Sequence, residues 1–108
     1  MCRGVRRAGN GVTSEAHLDE AGALLRALSA PIRLALVEQL AAGPRCVHEL
    51  ISAIGASQSL VSQHLRVLRG ARLVTPTRQG REIVYSLTDA HVAHIVRDAI
   101  IHAEEQSA

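Results

Sequence analysis

Apolar residues along the first seventy positions recur every three to four residues, the spacing of amphipathic helices. Leu18, Ala21, Leu24, Leu25 and Leu28 define a first helix over Glu15–Leu28. Ser14 is placed to cap it, and Glu15, Asp19 and Glu20 lie early in it, where negative charge suits the helix dipole. Ser29-Ala30-Pro31 interrupts the pattern. Pro31 then opens a second helix, where its missing N–H costs nothing. That helix carries Ile32, Leu34, Ala35, Leu36, Val37 and Leu40 and stops at Gly43-Pro44. A short third helix, Val47–Ile54, turns Val47, Leu50, Ile51 and Ile54 to one face and closes on Gly55 as a left-handed cap. Ser57 caps a fourth helix over Gln58–Gly70, with Leu60, Val61, Leu65 and Leu68 inward. The period then falls from 3.6 to 2. Val74 precedes Pro76, and Ile83, Tyr85 and Leu87 alternate with Glu82, Val84 and Ser86 beyond Arg78-Gln79-Gly80-Arg81, a hairpin with a basic tip. Thr88 is expected to cap a last helix over Asp89–Glu105, with Val92, Ile95, Val96, Ala99 and Ile100 on its apolar face.

Two short helices joined by Gly55-Ala56-Ser57 have the helix-turn-helix pattern. The two-stranded wing behind them predicts a mainly α fold with a small β-hairpin: a winged helix-turn-helix, dimeric through its terminal helices. The 108 residues suit one small core. Residues 14–108 are expected to form that domain, behind a flexible Gly- and Arg-rich arm over 1–13. Arg3, Arg6 and Arg7 are followed by no apolar segment, and no apolar run approaches the roughly 20 residues of a membrane span. A cytoplasmic protein with no membrane partner is the expectation. Two cysteines, Cys2 and Cys46, make no disulfide framework.

Composition narrows the partner. The chain has one Tyr, no Phe and no Trp, so base stacking on aromatic platforms is all but excluded. All twelve cationic residues are Arg, which removes lysine chemistry as well. What remains is duplex DNA read by helix side chains. Gln58, Ser59, Ser62, Gln63, His64 and Arg66 are left to solvent on the fourth helix, near its start, where recognition helices meet base edges. Gln and Arg make bidentate contacts to adenine and guanine edges. Ser57, Ser59 and Ser62 suit phosphates, which position a protein without reading sequence. Arg69 follows on the helix, and Arg78 and Arg81 flank the wing tip. The plainer alternative is a solvated polar face and a basic turn. The order of elements favours DNA, and the low net charge of +2 fits because the acids gather in the first and last helices.

Six histidines in so short a chain point to metal chemistry. On the last helix His91 and His102 are eleven positions apart, nearly three whole turns, so they share a face but stand roughly 16 Å apart. No ion with ligand bonds of about 2 Å touches both. Two such helices packed antiparallel across a twofold axis resolve this. Asp89 and His91 of one helix then meet His102 and Glu105 of the other, and two sites of two imidazoles and two carboxylates result. Those donors suit tetrahedral Zn2+, with Co2+ as a substitute, and no organic cofactor is called for. Four protein ligands leave no open position for catalysis, so an enzyme is not expected. The competing reading makes Asp89 a helix cap and the histidines plain surface residues. His94 and Asp98, four apart, are read as a structural pair.

The sequence resembles the ArsR/SmtB family of metal-responsive winged-helix repressors from about Leu24 to Glu105. The resemblance rests on Leu28-Ser29-Ala30-Pro31-Ile32-Arg33-Leu34, Arg45-Cys46-Val47-His48-Glu49-Leu50, the run Ser59 to Leu68 and the run Arg78 to Leu87. The family's last-helix zinc motif, Asp-x-His, ten residues, then His-x-x-Glu, matches at Asp89, His91, His102 and Glu105 without a gap. The resemblance implies a homodimer whose metal-free form sits on operator DNA and is released by Zn2+. It also implies a link from the second nitrogen of His102 to a carbonyl near Arg72. Nickel-sensing members draw further His ligands from their chain ends; the short run Gln106-Ser107-Ala108 disfavours that here. Related sensors hold a second metal at the start of the third helix, which nominates Cys46, His48 and Glu49, completed by Cys2 and His17 from the N-terminal side. This chain departs from that pattern, with Cys46-x-His48 in place of Cys-x-Cys. The alternative function is a redox- or partner-responsive winged-helix regulator that uses Cys46 as its switch.

Overall fold

The computed structural model describes residues 6–7 and 11–107, with side chains from residue 12 onward. Arg6–Arg7 (β1) pairs with Gly11–Val12 (β2) ahead of the helical part. The helices follow as Glu15–Leu28 (α1), Pro31–Ala41 (α2), Val47–Ile54 (α3), Gln58–Gly70 (α4) and Ala90–Ser107 (α5). Arg45–Cys46 (β3), Val74–Gln79 (β4) and Glu82–Leu87 (β5) complete the chain. This is the predicted winged helix-turn-helix, with two additions: the β1–β2 pair, which falls in the stretch expected as a flexible arm, and a third strand in the wing. The wing is a three-stranded antiparallel sheet in the order β3-β5-β4. β3 escapes a pattern reading because two residues hold no period. Pro76 falls on β4, an edge strand, where its missing N–H breaks no ladder.

The ends of the elements follow local chemistry. Ser14 and Ser57 cap α1 and α4 as expected, accepting from the backbone N–H groups of His17 and Leu60. Gly55 closes α3 at φ 75°, a left-handed angle that glycine adopts without steric cost. Gly80, at φ 66°, is the first of two turn residues in the wing, which suits a primed hairpin turn. The cap of α5 differs from expectation. Asp89, not Thr88, caps the helix: its Oδ1 accepts from the N–H groups of His91 at 2.9 Å and Val92 at 3.3 Å. α4 ends in a Schellman turn. The Leu73 N–H bonds Leu68 O and the Arg72 N–H bonds Arg69 O, with Arg72 in the left-handed region at φ 63°.

The core is aliphatic, built from Leu28, Leu36, Val37, Leu40, Leu50, Val61, Leu65, Leu68, Leu73, Val92 and Val96 with their neighbours. Leu60 departs from expectation and faces solvent, 38% exposed, because it lies one position before the stripe Val61-Leu65-Leu68 that the core takes up. Leu18 and Leu25 on α1 and Ile101 on α5 are also exposed, at 53, 54 and 42%. The terminal helices therefore carry apolar surface that the single chain does not cover. No helix among the described residues is long and apolar enough to cross a membrane.

Candidate nucleic-acid interface and metal centres

The residues read as DNA contacts lie on α4 and at the wing tip. Ser57, Gln58 and Ser59 are exposed at the start of α4, Gln63, Arg66 and Arg69 are exposed along it, and Arg78 and Arg81 stand exposed at the wing tip. Ser62 and His64 are half-buried. His64 is held from behind: Arg33 on α2 donates from Nη1 to His64 Nδ1 at 3.1 Å, while Arg33 Nε donates to the Ala27 carbonyl. A guanidinium only donates, so Nδ1 is the accepting nitrogen and the N–H of the neutral ring is at Nε2. The sequence reading missed Arg33. Its run Pro31-Ile32-Arg33-Leu34 gives no sign of a partner 31 positions on.

Asp89 Oδ1 and His91 Nδ1 stand 3.6 Å apart at the exposed start of α5. Two donors on one tetrahedral ion, each about 2 Å from it, stand roughly 3.3 Å apart. The pair thus lies close to the spacing an ion needs. Oxygen and nitrogen donors of this kind suit zinc. His102 and Glu105 are exposed toward the far end of the same helix and belong to no donor cluster among the described residues. The Arg72 carbonyl does not accept from His102 in the chain; it accepts from the Thr88 hydroxyl at 2.8 Å. His94 and Asp98 are both exposed and form no ion pair with each other.

The residues nominated for a second metal site divide. Cys46 is buried beside exposed His48, and the structure brings in Glu82 from β5, which sequence reasoning did not name. Glu49 is turned to another task. Its Oε1 accepts from the Cys46 N–H at 2.8 Å and the Glu49 N–H points back at the Cys46 sulfur, a capping box at the start of α3. The Cys46 backbone N–H, then its thiol, hold the Glu49 carboxyl below its ordinary range against the opposing effect of burial, with Arg45 and His48 adding to the lowering. For Cys46, the Glu49 N–H alone pulls the thiol down. Burial and the carboxylates of Glu49 and Glu82 outweigh it and raise the thiol. His17 pairs its Nδ1 with Ser14 Oγ at 2.9 Å and is not part of this cluster. Cys2 lies outside the described residues.

The chain is similar to known proteins in sequence and in fold. A family model described as bacterial regulatory protein, arsR family, matches residues 30–76. The HTH-type transcriptional repressor SmtB of Mycobacterium tuberculosis is 57% identical over 90 residues, which make up 83% of this chain and 67% of that one. The chain belongs to the ArsR family. Among solved structures, the transcriptional repressor BigR from Xylella fastidiosa aligns with a TM-score of 0.71 at 40% identity, covering 78% of this chain and 86% of BigR. Mb0332 from Mycobacterium bovis, described as a homodimeric winged helix-turn-helix DNA-binding domain, aligns with a TM-score of 0.76 at 28% identity, covering 87% of this chain and 90% of that one. Within the family match lie α2, β3, α3, α4 and the start of the wing, so the ArsR-family signature covers the helix-turn-helix. α5, with Asp89, His91, His102 and Glu105, lies beyond it.

Proposed function

We propose that this ArsR-family regulator is a zinc-responsive transcriptional repressor. Its metal-free homodimer holds operator DNA, and Zn2+ bound between the two last helices releases it. The observation that carries the reading is the 3.6 Å approach of Asp89 Oδ1 to His91 Nδ1 at one end of α5, with His102 and Glu105 left open toward the other. One chain cannot close that set, because about 16 Å of helix separates its halves. A second copy running antiparallel closes it twice. The exposed Leu18, Leu25 and Ile101 on the terminal helices support the same pairing, because a dimer would cover them.

The regulation follows from linkage. Zinc favours the dimer geometry that its ligands complete, and DNA favours the one that spaces the two α4 helices for adjacent grooves. If these differ, each ligand weakens the other by the same factor. Ser57, Gln58, Ser59, Ser62, Gln63, His64, Arg66 and Arg69 would face the major groove, with Arg78 and Arg81 on the flanking backbone. Co2+ is expected to substitute for Zn2+.

The test is a titration of operator binding with Zn2+. The wild-type complex should dissociate, and His102→Ala should bind the operator but no longer respond. A His102→Ala complex that still dissociates with zinc would overturn the assignment. The redox alternative draws less support from the structure. The thiolate is the reactive form of cysteine, and the raised, buried thiol of Cys46 opposes it.

A further inference from the structure

The guanidinium of Arg33 is fixed at two points. Nε donates to the Ala27 carbonyl at 2.6 Å, and Nη1 donates to His64 Nδ1 at 3.1 Å. Ala27 lies in the last turn of α1, where carbonyls have no partner within the helix. A cation there also meets the negative end of the helix dipole. The first bond thus anchors the guanidinium, and its rigid fork aims the second donor at the imidazole. An accepting Nδ1 holds a lone pair, so the ring is neutral and its one N–H is at Nε2. The two ring nitrogens point in divergent directions, which leaves that N–H turned away from Arg33. His64 itself is half-buried, between exposed Gln63 and buried Leu65. At about 100° per residue, Ser59, Gln63 and Arg66 gather opposite the buried stripe Val61-Leu65-Leu68, and His64 falls on the flank between the two sets. The outer ridge of a helix laid in a major groove meets base edges, and its flanks meet the phosphates at the groove walls.

We propose that His64 is a neutral hydrogen-bond donor to a backbone phosphate at the edge of the major groove, and that Arg33 is the positioning residue that fixes its donor atom. The inference rests on the operator-binding part of the proposed function and is independent of the zinc part. A phosphate oxygen only accepts, so an imidazole with its lone pair turned outward would repel it, and the Nε2–H tautomer binds it. Arg33 removes that choice before DNA arrives. Because the donor carries no charge, it adds affinity without releasing a counterion. This separates His64 from Arg66, Arg69, Arg78 and Arg81, whose cations would release counterions from the phosphates they neutralise. The contact also carries no sequence information, because every step of the duplex offers the same oxygens.

The test uses the full metal-free chain and duplexes that it selects from a randomised library. His64→Asn keeps an amide oxygen where Nδ1 accepts from Arg33 but reaches no farther, so the fold is kept and the outer donor is lost. It should weaken binding roughly 10–100-fold, the worth of one hydrogen bond to a charged acceptor, and do so on every selected duplex alike. The slope of log affinity against log salt should stay at its wild-type value. His64→Gln places an amide N–H near the Nε2 position and should restore most of the affinity. Arg33→Ala should weaken wild type but change His64→Gln little, because an amide carries its donor without Arg33. NMR of the imidazole nitrogens reads the tautomer directly: Nε2–H in wild type, a mixture in Arg33→Ala. A wild-type ring protonated at Nδ1 would overturn the inference. So would a salt slope that falls by roughly 0.9 in His64→Asn, because His64 would then act as a cation. A loss confined to one base at one position would also sink it, because His64 would then read sequence. A wild-type chain that binds no duplex would remove the operator reading and this inference with it, and shows before any variant is made.

Discussion

The hydroxyl of Thr88 donates to the carbonyl oxygen of Arg72 at 2.8 Å, and the Thr88 N–H donates to Leu73 O at 3.0 Å. These two bonds join the Schellman turn that ends α4 to the residue just before Asp89, the cap of α5 and a candidate zinc ligand. We expect movement at the start of α5 to reach the end of α4 through this one residue. Thr88→Val keeps the shape and the backbone bond but removes the hydroxyl. We expect a stability loss of about 0.5–1.5 kcal/mol, the usual net worth of one hydrogen bond. Zinc should still bind, while the drop in operator affinity that it causes should shrink. Isothermal titration of zinc with and without operator DNA reads both quantities.

Asp89 serves two ends at once. As the cap of α5 it accepts two backbone bonds, and as a candidate ligand it offers a carboxylate. Asn caps a helix about as well as Asp but lacks the charge. Asp89→Asn should therefore leave thermal stability near wild type while weakening zinc. Asp89→Ala should lose both, with about 1 kcal/mol of stability gone. Equal zinc affinity in wild type and Asp89→Asn would remove Asp89 from the ligand set.

Arg33 holds His64 and the Ala27 carbonyl together from beneath the candidate DNA face. Arg33→Ala should cost about 2 kcal/mol in chemical denaturation, because it deletes hydrogen bonds from a charged donor. Operator affinity should fall as well, even though Arg33 itself is placed behind the recognition helix. A His64→Ala change made on top of Arg33→Ala should then cost little more in DNA binding, since the two act as a unit.

The Glu49 carboxyl is held below its ordinary value, chiefly by the Cys46 N–H. A depressed carboxyl adds stability that is complete above its unfolded-state value and fades as pH falls through its folded-state value. Glu49→Gln can still complete the capping box but carries no charge. Its stability should therefore fall less steeply on acidification than that of wild type. Urea unfolding midpoints measured across the acid range give the comparison.

The helices were legible in the sequence because their signals are local. Caps at Ser14 and Ser57, Pro31 at a helix start, Gly55 at a helix end and apolar spacing along each segment fix α1 to α4 within a few neighbouring residues. The change of period at Val74 marks the wing for the same reason. The spacing along α5 also shows that its candidate ligands cannot close a site within one chain. What only the tertiary structure decided are the meetings across distance. Leu60 lies on the solvent side because the core selects the stripe one residue on. β3 exists because β5 offers it a partner. Arg33 meets His64, Thr88 meets Arg72, and Glu82 joins Cys46 and His48. None of these pairings leaves a mark in local spacing. Each arises where the packing of separate elements brings a donor to an acceptor that the chain order keeps far away.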